Sequence, residues 1–317
     1  MSILKSISLD LMIPEVRLDR IIRSAPYRYK VYEVDKKEGR GKRTIAQPAR
    51  ELKAIQYWVM ENILSEFPVH SAAIAYRKGR SIRANAAKHA RARFLLKLDF
   101  KDFFPSITAS DLEAFLRSQK STRLSAEDII RLEKILFWNR ARAGKLVMSI
   151  GAPSSPMLSN LLMYDFDRTV QAFCNRKKVK YSRYADDLTF STNRPNVLRE
   201  VEIQVAAICE RMEHPRLKLN AEKTVHASRK GAMRVTGLVL ANDGQVSLGH
   251  ERKRLIRAQV HHFLTGRLSP DEAAKLRGML AFVHSAEPSF IQRLRDHYGS
   301  AEIDTIIIPP NRASENG

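Results

Sequence analysis

Apolar residues recur along this chain with two periods, about 3.6 and two, and the switches between them mark out its elements. Leu9, Leu11, Ile13, Val16, Leu18, Ile21 and Ile22 offer a helical face within residues 1–30. Tyr29 to Val34 alternates as a strand, the charged, glycine-bearing stretch 36–42 reads as a turn, and Arg43 to Pro48 returns as the second strand of a hairpin. Leu52, Ile55, Trp58, Val59 and Ile63 predict a helix over 50–64, and Ser81 is placed to cap another. Phe94 to Leu98 is an apolar strand that runs straight into Asp99. Helices are expected over 110–120 and 125–137, the second opened by Ser125-Ala126-Glu127-Asp128. A small-residue loop, 147–156, leads into a helix over 157–169 with Leu158, Leu161, Leu162 and Phe166 inward.

Two strand-forming runs, Val179 to Tyr184 and Leu188 to Ser191, then flank Asp186-Asp187, so a β-hairpin is expected with the carboxylates at or beside its tip. A helix over 197–212 follows, then an alternating stretch at 217–224. Val235 to Leu240 is a strand, Asn242-Asp243-Gly244 a turn, and 245–248 the return. Residues 250–296 are helical and basic, and the tail 309–317 has the composition of a disordered end. Strands and helices mixed in this order make an α+β protein.

Charge narrows the partners. Among 317 residues, Lys and Arg number 55 against 34 Asp and Glu, a net charge of +21, which points to nucleic acid as the natural polyanion. No lipidation motif or apolar run of membrane-spanning length accompanies that charge, which argues against a membrane surface. Cys174 and Cys209 have neither C-x-x-C spacing nor a neighbouring histidine, as expected of free thiols in a reducing compartment. The expectation is a soluble, cytoplasmic protein.

Paired aspartates at a turn commonly do no more than start it, by bonding their own backbone. Asp99 changes that reading. If its strand end packs beside the hairpin, three carboxylates meet at one point, the oxygen-only environment that hard divalent cations take. Around Gly79, the residues Arg77, Lys78 and Arg80 suit a loop that approaches phosphates, or a plain solvated basic turn, with Tyr76 available to stack or pack. Asn85 and His89 lie four apart on one helix face, a spacing that also fits an ordinary surface hydrogen bond.

Taken together, the Asp99 strand, Gly151-Ala152-Pro153-Ser154-Ser155-Pro156, Tyr184-Ala185-Asp186-Asp187, Leu219-Asn220-x-x-Lys223-Thr224 and Val235-Thr236-Gly237 occur in an order that resembles a reverse transcriptase over nearly the full chain. Asn85-Ala86-Ala87-Lys88-His89 and Val235-Thr236-Gly237 are similar to segments of the bacterial retron type, and no maturase or endonuclease extension is expected. The resemblance implies a right-hand polymerase fold, with fingers over 1–98, a palm over 99–245 carrying inserted fingers helices at 110–150, and a basic helical thumb with its tail over 246–317. It implies an RNA-directed DNA polymerase in which Asp99 and Asp186, joined by Asp187 and the carbonyl of Phe100, hold two Mg2+ ions. Arg43, Phe104, Gly151 and Lys223 would meet the nucleotide, with Phe104 beneath the sugar as a gate against ribonucleotides and Lys223 near the pyrophosphate. Arg77, Arg80, Asn85, His89, Val235, Thr236, Gly237, Arg254 and Arg257 would meet nucleic acid.

Many members of the superfamily place Gln before the glycine of the Gly151 loop. Here Ile150 stands there, which has no side-chain hydrogen bond to offer a sugar. The retron likeness further implies a structured noncoding RNA of msr-msd type as partner and dNTPs as substrates. Priming would be from a guanosine 2′-hydroxyl, giving branched multicopy single-stranded DNA, with a role in antiphage defence beside a separate effector protein. A reverse transcriptase of group II intron lineage and a silent RNA-binding scaffold are the alternatives; the intact aspartates argue against the scaffold, because adjacent like charges are costly without a cation.

Overall fold

The structure is a computed structural model that describes residues 2–35, 41–119, 124–140 and 144–308. The expected disordered tail, and residues 36–40 of the expected turn, lie outside that range. Ser2 accepts a hydrogen bond from the Lys5 backbone and starts α1 (Ile3–Leu11), which ends where Met12 turns left-handed, and α2 (Glu15–Ser24) follows. β1 (Tyr29–Asp35) and β2 (Lys42–Pro48) form the expected antiparallel hairpin, with Tyr29 opposite Pro48 and Asp35 opposite Lys42. Next come α3 (Arg50–Asn62) and α4 (Ile82–His89), the latter capped by Ser81 as its position predicted. β3 (Phe94–Asp99) ends on the aspartate. After α5 (Phe103–Ser106), a capping box of Thr108 and Asp111 opens α6 (Ala109–Ser118), and Ser125 opens α7 (Ala126–Leu136).

The short pair β4 (Trp138–Asn139) and β5 (Leu146–Val147) precedes α8 (Ser154–Leu162) and α9 (Tyr164–Arg176). One helix over 157–169 was the expectation. The chain instead starts its helix at Ser154 and breaks it at Met163, so Leu158 and Phe166 reach the core from two helices. β6 (Lys180–Tyr184) and β7 (Asp187–Thr192) make the acidic hairpin, and α10 (Val197–Arg211) follows. The alternation at 217–224 builds no strand. Its backbone instead bonds the loop after β3, Lys101 N–H to Lys218 O (2.8 Å) and Asn220 N–H to Asp99 O (2.7 Å), with a 3-10 turn at Ala221–Lys223.

The chain then runs through β8 (Val225–Ser228), β9 (Arg234–Val235), β10 (Leu238–Leu240) and β11 (Val246–Ser247). The basic end is four helices: α11 (His250–Leu264), α12 (Pro270–Ala286), α13 (Pro288–Tyr298) and α14 (Ser300–Ile307). No helix among the described residues is long and apolar enough to cross a membrane.

Two compact units divide these elements. The first comprises residues 1–76, 96–190 and 196–225. The central sheet has the order β6-β7-β3-β8, and β3 and β7 contribute residues to both units. Tyr181, Ser182 and Arg183 are buried in succession along β6, the mark of a strand covered on both faces. Phe100 stacks on Phe103 at 5.5 Å between ring centroids and meets Phe166 edge-on, while Tyr181 stacks on Phe190 at 5.0 Å. Within this core lies a fully buried ion pair, Arg183 with Asp167. α1 is anchored by its own backbone: the Ile3 N–H donates to Asp128 of α7 at 3.0 Å.

The second unit comprises residues 77–95, 191–195 and the chain from His226 onward. Its core gathers Ala86 and Ala90 beside α4, Leu238 and Leu240 of β10, Ile256 and Val260 of α11, Leu276, Leu280 and Val283 of α12, and Phe290 and Leu294 of α13. Glu287, between α12 and α13, is the polar hub of this unit. Its carboxylate accepts from the Leu248 backbone (2.9 Å), Lys253 Nζ (2.7 Å) and Arg293 (2.7 Å). Burial alone would raise its pKa; the bonds from Lys253, Leu248 and Arg293 outweigh burial and leave it lowered. A group lowered on folding stabilises the native state above its unfolded pKa and loses that contribution as pH falls through the folded value. Glu287→Gln should therefore cost roughly 1–3 kcal/mol at neutral pH, and the difference in melting temperature from the native chain should vanish below the ordinary glutamate range. A pH-independent difference in calorimetry would contradict this.

Candidate active site

The hairpin of β6 and β7 turns through two residues, Ala185 and Asp186, with Asp187 the first residue of β7. Ala185 sits at φ +57°, the left-handed conformation that two-residue hairpins demand and that alanine rarely takes. The Phe100 N–H reaches the Asp186 carbonyl at 3.4 Å, which ties the end of β3 to the turn. The chain brings Asp99 within electrostatic reach of both Asp186 and Asp187. Asp186 is pushed up to about 6, first by burial and then by the negative charges of Asp99 and Asp187. Asp187 is raised too, by burial foremost, with Lys97 pulling the other way.

Lys223 holds the third member. Its Nζ donates to Asp99 Oδ1 at 2.7 Å, with Asp99 nearly buried and Lys223 about half exposed. The 3-10 turn at Ala221–Lys223, fixed by the bond from Asn220 to the Asp99 carbonyl, delivers the ammonium there. Among the described residues, no three His, Cys, Asp or Glu side chains converge as a preformed metal cage. The donor set nevertheless fits a hard divalent cation: it is all carboxylate, and its mutual repulsion, visible in the raised Asp186, is what a cation would relieve.

The residues expected at the nucleotide belong to the same unit. Phe103 is buried and stacked on Phe100, whereas Phe104 is half-buried, one ring for the core and one toward the surface. Asp102, left-handed at φ +47°, precedes the short α5 that carries both rings, which meet edge-on at 5.3 Å. Gly151, at φ +123°, is held against β2: a Cβ there would sit 3.0 Å from the Ala46 carbonyl oxygen, and the Ala46 N–H donates to Ile150 O at 2.8 Å. The close approach that glycine permits is therefore made by β2 itself. Ile150 serves that contact with its backbone, and Arg43 lies exposed three residues earlier on the strand.

Sequence reasoning left Tyr76 undecided between stacking and packing. The residue is half-exposed at φ +62°, and its phenol is raised by burial first and then by the charge of Asp186, so it stands beside the acidic turn. Lys97 and Arg183 were missed. Lys97 could have been found from β-strand alternation, because it shares a face with Asp99. Nothing in the local pattern marks Arg183 as buried, since its partners come from α8 and α9.

The residues expected at nucleic acid lie in the second unit. Arg80 is exposed and Arg77 half-buried around the Gly79 turn, and Arg254 and Arg257 are exposed on α11. Asn85 and His89 are not on the surface: both are fully buried, and His89 Nδ1 lies 2.7 Å from Ser191 Oγ. A surface hydrogen bond between them is thus not what the i,i+4 spacing builds; His89 is turned inward to Ser191 of β7, while Ala86 of the same helix packs into the core with residues of β9 and β10. Val235 is buried, while Thr236 and Gly237, at φ +47° and +79°, form the two-residue turn between β9 and β10. A β-branched residue in that conformation is strained, and the Thr236 hydroxyl offsets part of it by donating to Ile82 O at 3.2 Å.

Comparison with known proteins agrees with this arrangement. The family model described as "Reverse transcriptase (RNA-dependent DNA polymerase)" matches residues 34–240, which include every element of the acidic site. The retron Ec83 reverse transcriptase of Escherichia coli is 41% identical over 91% of this chain and 93% of its own length. The retron Ec86 reverse transcriptase of Escherichia coli is 34% identical over 88% and 85%. A foamy viral protease-reverse transcriptase solved with double-stranded DNA aligns with 88% of this chain and 43% of its own, at TM-score 0.46 and 14% identity, a likeness too slight to add to the assignment. The fold is the right-hand polymerase fold of fingers, palm and helical thumb, and this chain belongs to the reverse transcriptases, RNA-directed DNA polymerases, among those of the retron type.

Proposed function

We propose that this enzyme copies a structured noncoding RNA of msr-msd type, priming from a guanosine 2′-hydroxyl within it to make branched multicopy single-stranded DNA. In this reading it acts in the cytoplasm, in antiphage defence, beside a separate effector protein. The observation that carries the polymerase site is the end of β3 tied to the turn of the acidic hairpin by the Phe100 N–H on the Asp186 carbonyl, with Asp99 and Asp187 within electrostatic reach of Asp186. The retron part is supported by the 41% identical relative, which bears that name over nearly the same length. Fingers over 1–98, palm over 99–245 and thumb over 246–317 remain the proposed division of the fold.

Asp99 and Asp186, with Asp187 and the Phe100 carbonyl, are the proposed ligands of two Mg2+ ions. When bound, these supply the positive charge that activates the attacking hydroxyl and neutralises the leaving pyrophosphate. The chain's own residues do the rest. Lys223, whose Nζ is paired with Asp99 Oδ1, is the proposed proton donor to the leaving pyrophosphate. Phe104 presents its half-buried ring beneath the incoming sugar, and Arg43 stands on the rim of the same unit for the triphosphate. Sugar recognition leans on backbone and on Phe104, because Ile150 contributes only its carbonyl, and that to Ala46. Exposed Arg80, Arg254 and Arg257 suit an RNA stem, read through phosphates and 2′-hydroxyls. Asn85 and His89 lie buried behind that surface, His89 against Ser191 Oγ.

Expression of the gene with its flanking DNA, followed by nucleic-acid extraction and RNase treatment, tests the retron reading. A discrete small DNA that shortens on debranching is expected. Extension of annealed primers on RNA without such a DNA would leave a reverse transcriptase of another lineage. Asp186→Asn and Asp187→Asn should each lower DNA synthesis by roughly a thousandfold while RNA binding in a filter assay stays near native; retained synthesis would sink the metal assignment. Phe104→Val should reduce discrimination against ribonucleotides by roughly tenfold or more, and unchanged dNTP-to-rNTP selectivity in primer extension would reject the gate.

A further inference from the structure

Behind the acidic turn lies a group that the chemistry above does not use. Arg183, three residues before Asp186, is wholly buried, with its guanidinium fully enclosed. Nε donates to Asp167 Oδ1 at 2.9 Å and to Oδ2 at 3.1 Å, and the second terminal nitrogen donates to Oδ2 at 2.7 Å. Tyr181 Oη also donates to Asp167, at 2.6 Å, so the carboxylate is satisfied from both sides. These contacts fix the plane of the guanidinium. Its remaining nitrogen, Nη1, then points at two acceptors, Asn160 Oδ1 and the carbonyl of Ala185, each at 3.1 Å.

That carbonyl belongs to the left-handed residue of the turn and opens the peptide that carries Asp186. Two-residue hairpins with a positive φ at the first position usually place glycine there. This chain places alanine and grips its carbonyl instead. The same group reaches the other wall of the site. The Arg183 backbone pairs with the segment before Tyr76, its N–H donating to Ala72 O (2.8 Å) and its carbonyl accepting from Ile74 N–H (2.8 Å). Asn160, held by Arg183, donates from Nδ2 to Ala75 O at 2.9 Å.

We propose that Arg183 is the positioning residue of the acidic turn, its clamped guanidinium setting through the Ala185 carbonyl the direction in which Asp186 presents its carboxylate. Through Ala72, Ile74 and Asn160 it also sets the spacing between that turn and Tyr76. The inference rests on the reading that Asp186 acts in catalysis. A lysine at 183 keeps the charge opposite Asp167 but cannot serve Asp167, Asn160 and Ala185 together, because one ammonium lacks the planar fork of five donors. A buried charge left alone would threaten folding, so a second variant removes the polar cluster whole: Arg183→Met with Asp167→Leu and Tyr181→Phe, since buried ion pairs are often replaceable by apolar groups.

The test is single-turnover extension of a DNA primer annealed to RNA, by the full chain with Mg2+ and dNTPs, reading the amplitude and the rate constant separately. Amplitude counts folded, competent enzyme. The rate constant reports geometry at the reacting atoms, where a misplacement near 1 Å costs about a hundredfold. Arg183→Lys should keep its amplitude and lose about 10- to 100-fold in rate, with a higher Mg2+ concentration at half-maximal rate, and the triple variant should behave alike. A purely structural role would lower amplitude and leave the rate constant within about threefold of native, and that result overturns the proposal. So would failure of both variants to fold, since Arg183 would then be a folding residue. Asp186→Asn is measured beside them: if it keeps its rate, the catalytic reading of Asp186 fails, whereas an inactive Asp186→Asn with a native-rate Arg183→Lys removes only the positioning role.

Discussion

Three carboxylates held within electrostatic reach of one another repel, and the first unit is arranged to hold them in spite of it. Asp186, pushed up to about 6 by burial and by its neighbours, is where that repulsion is visible. A strand end and a hairpin turn are suited to the task because their positions follow from the sheet rather than from the side chains. Asp99 ends β3, the strand next to β7, and the Phe100 N–H bonds the Asp186 carbonyl, so sheet hydrogen bonding brings the charges together. Lys223 then takes part of the load through Asp99.

Rigidity behind the site comes from a different balance. Burying Arg183 and Asp167 removes two charges from water, a cost of several kcal/mol per ion that only close geometry and further hydrogen bonds can return. Tyr181, Asn160 and the Ala185 carbonyl provide those bonds, which is why the pair sits under the turn and not elsewhere in the core. The same unit's core also holds the stacked rings of Phe100 on Phe103 and Tyr181 on Phe190. Charge and packing together leave the turn few alternatives.

The second unit solves another problem, that of presenting many cations without losing its core. Apolar residues of α4, β10 and the four C-terminal helices close on one another, and the arginines stand outside. Some stack on an aromatic face even so: the guanidinium carbons of Arg257 and Arg293 lie over the Phe290 ring, at 5.3 and 5.6 Å from its centre. Arg229 is the exception, its guanidinium turned inward to the carbonyls of Ala90, Ala92, Leu240 and Ala241. Basic composition therefore does two jobs in this unit, a surface for an anion and internal fastening.

The sequence by itself determined the elements whose period is local: the β1–β2 hairpin, α3, β3 ending on Asp99, the acidic hairpin and the basic helices. It placed Asp99 at a strand end and Asp186-Asp187 at a turn, but bringing them together waited on β3 pairing with β7. The family resemblance singled out Phe104 over Phe103 for the nucleotide, and the fold buries Phe103 and leaves Phe104 half-buried. Only tertiary structure decided the rest. The 217–224 alternation became a loop because its backbone found partners beside β3. Asn85 and His89 went inward, His89 to Ser191, 102 residues away along the chain. Gly151 met β2, and Arg183 met Asp167, across intervals of chain that no local period spans. Periodicity reports which face a residue takes within its own element; what lies opposite that face is set by contacts between distant segments, and those exist only once the chain has folded.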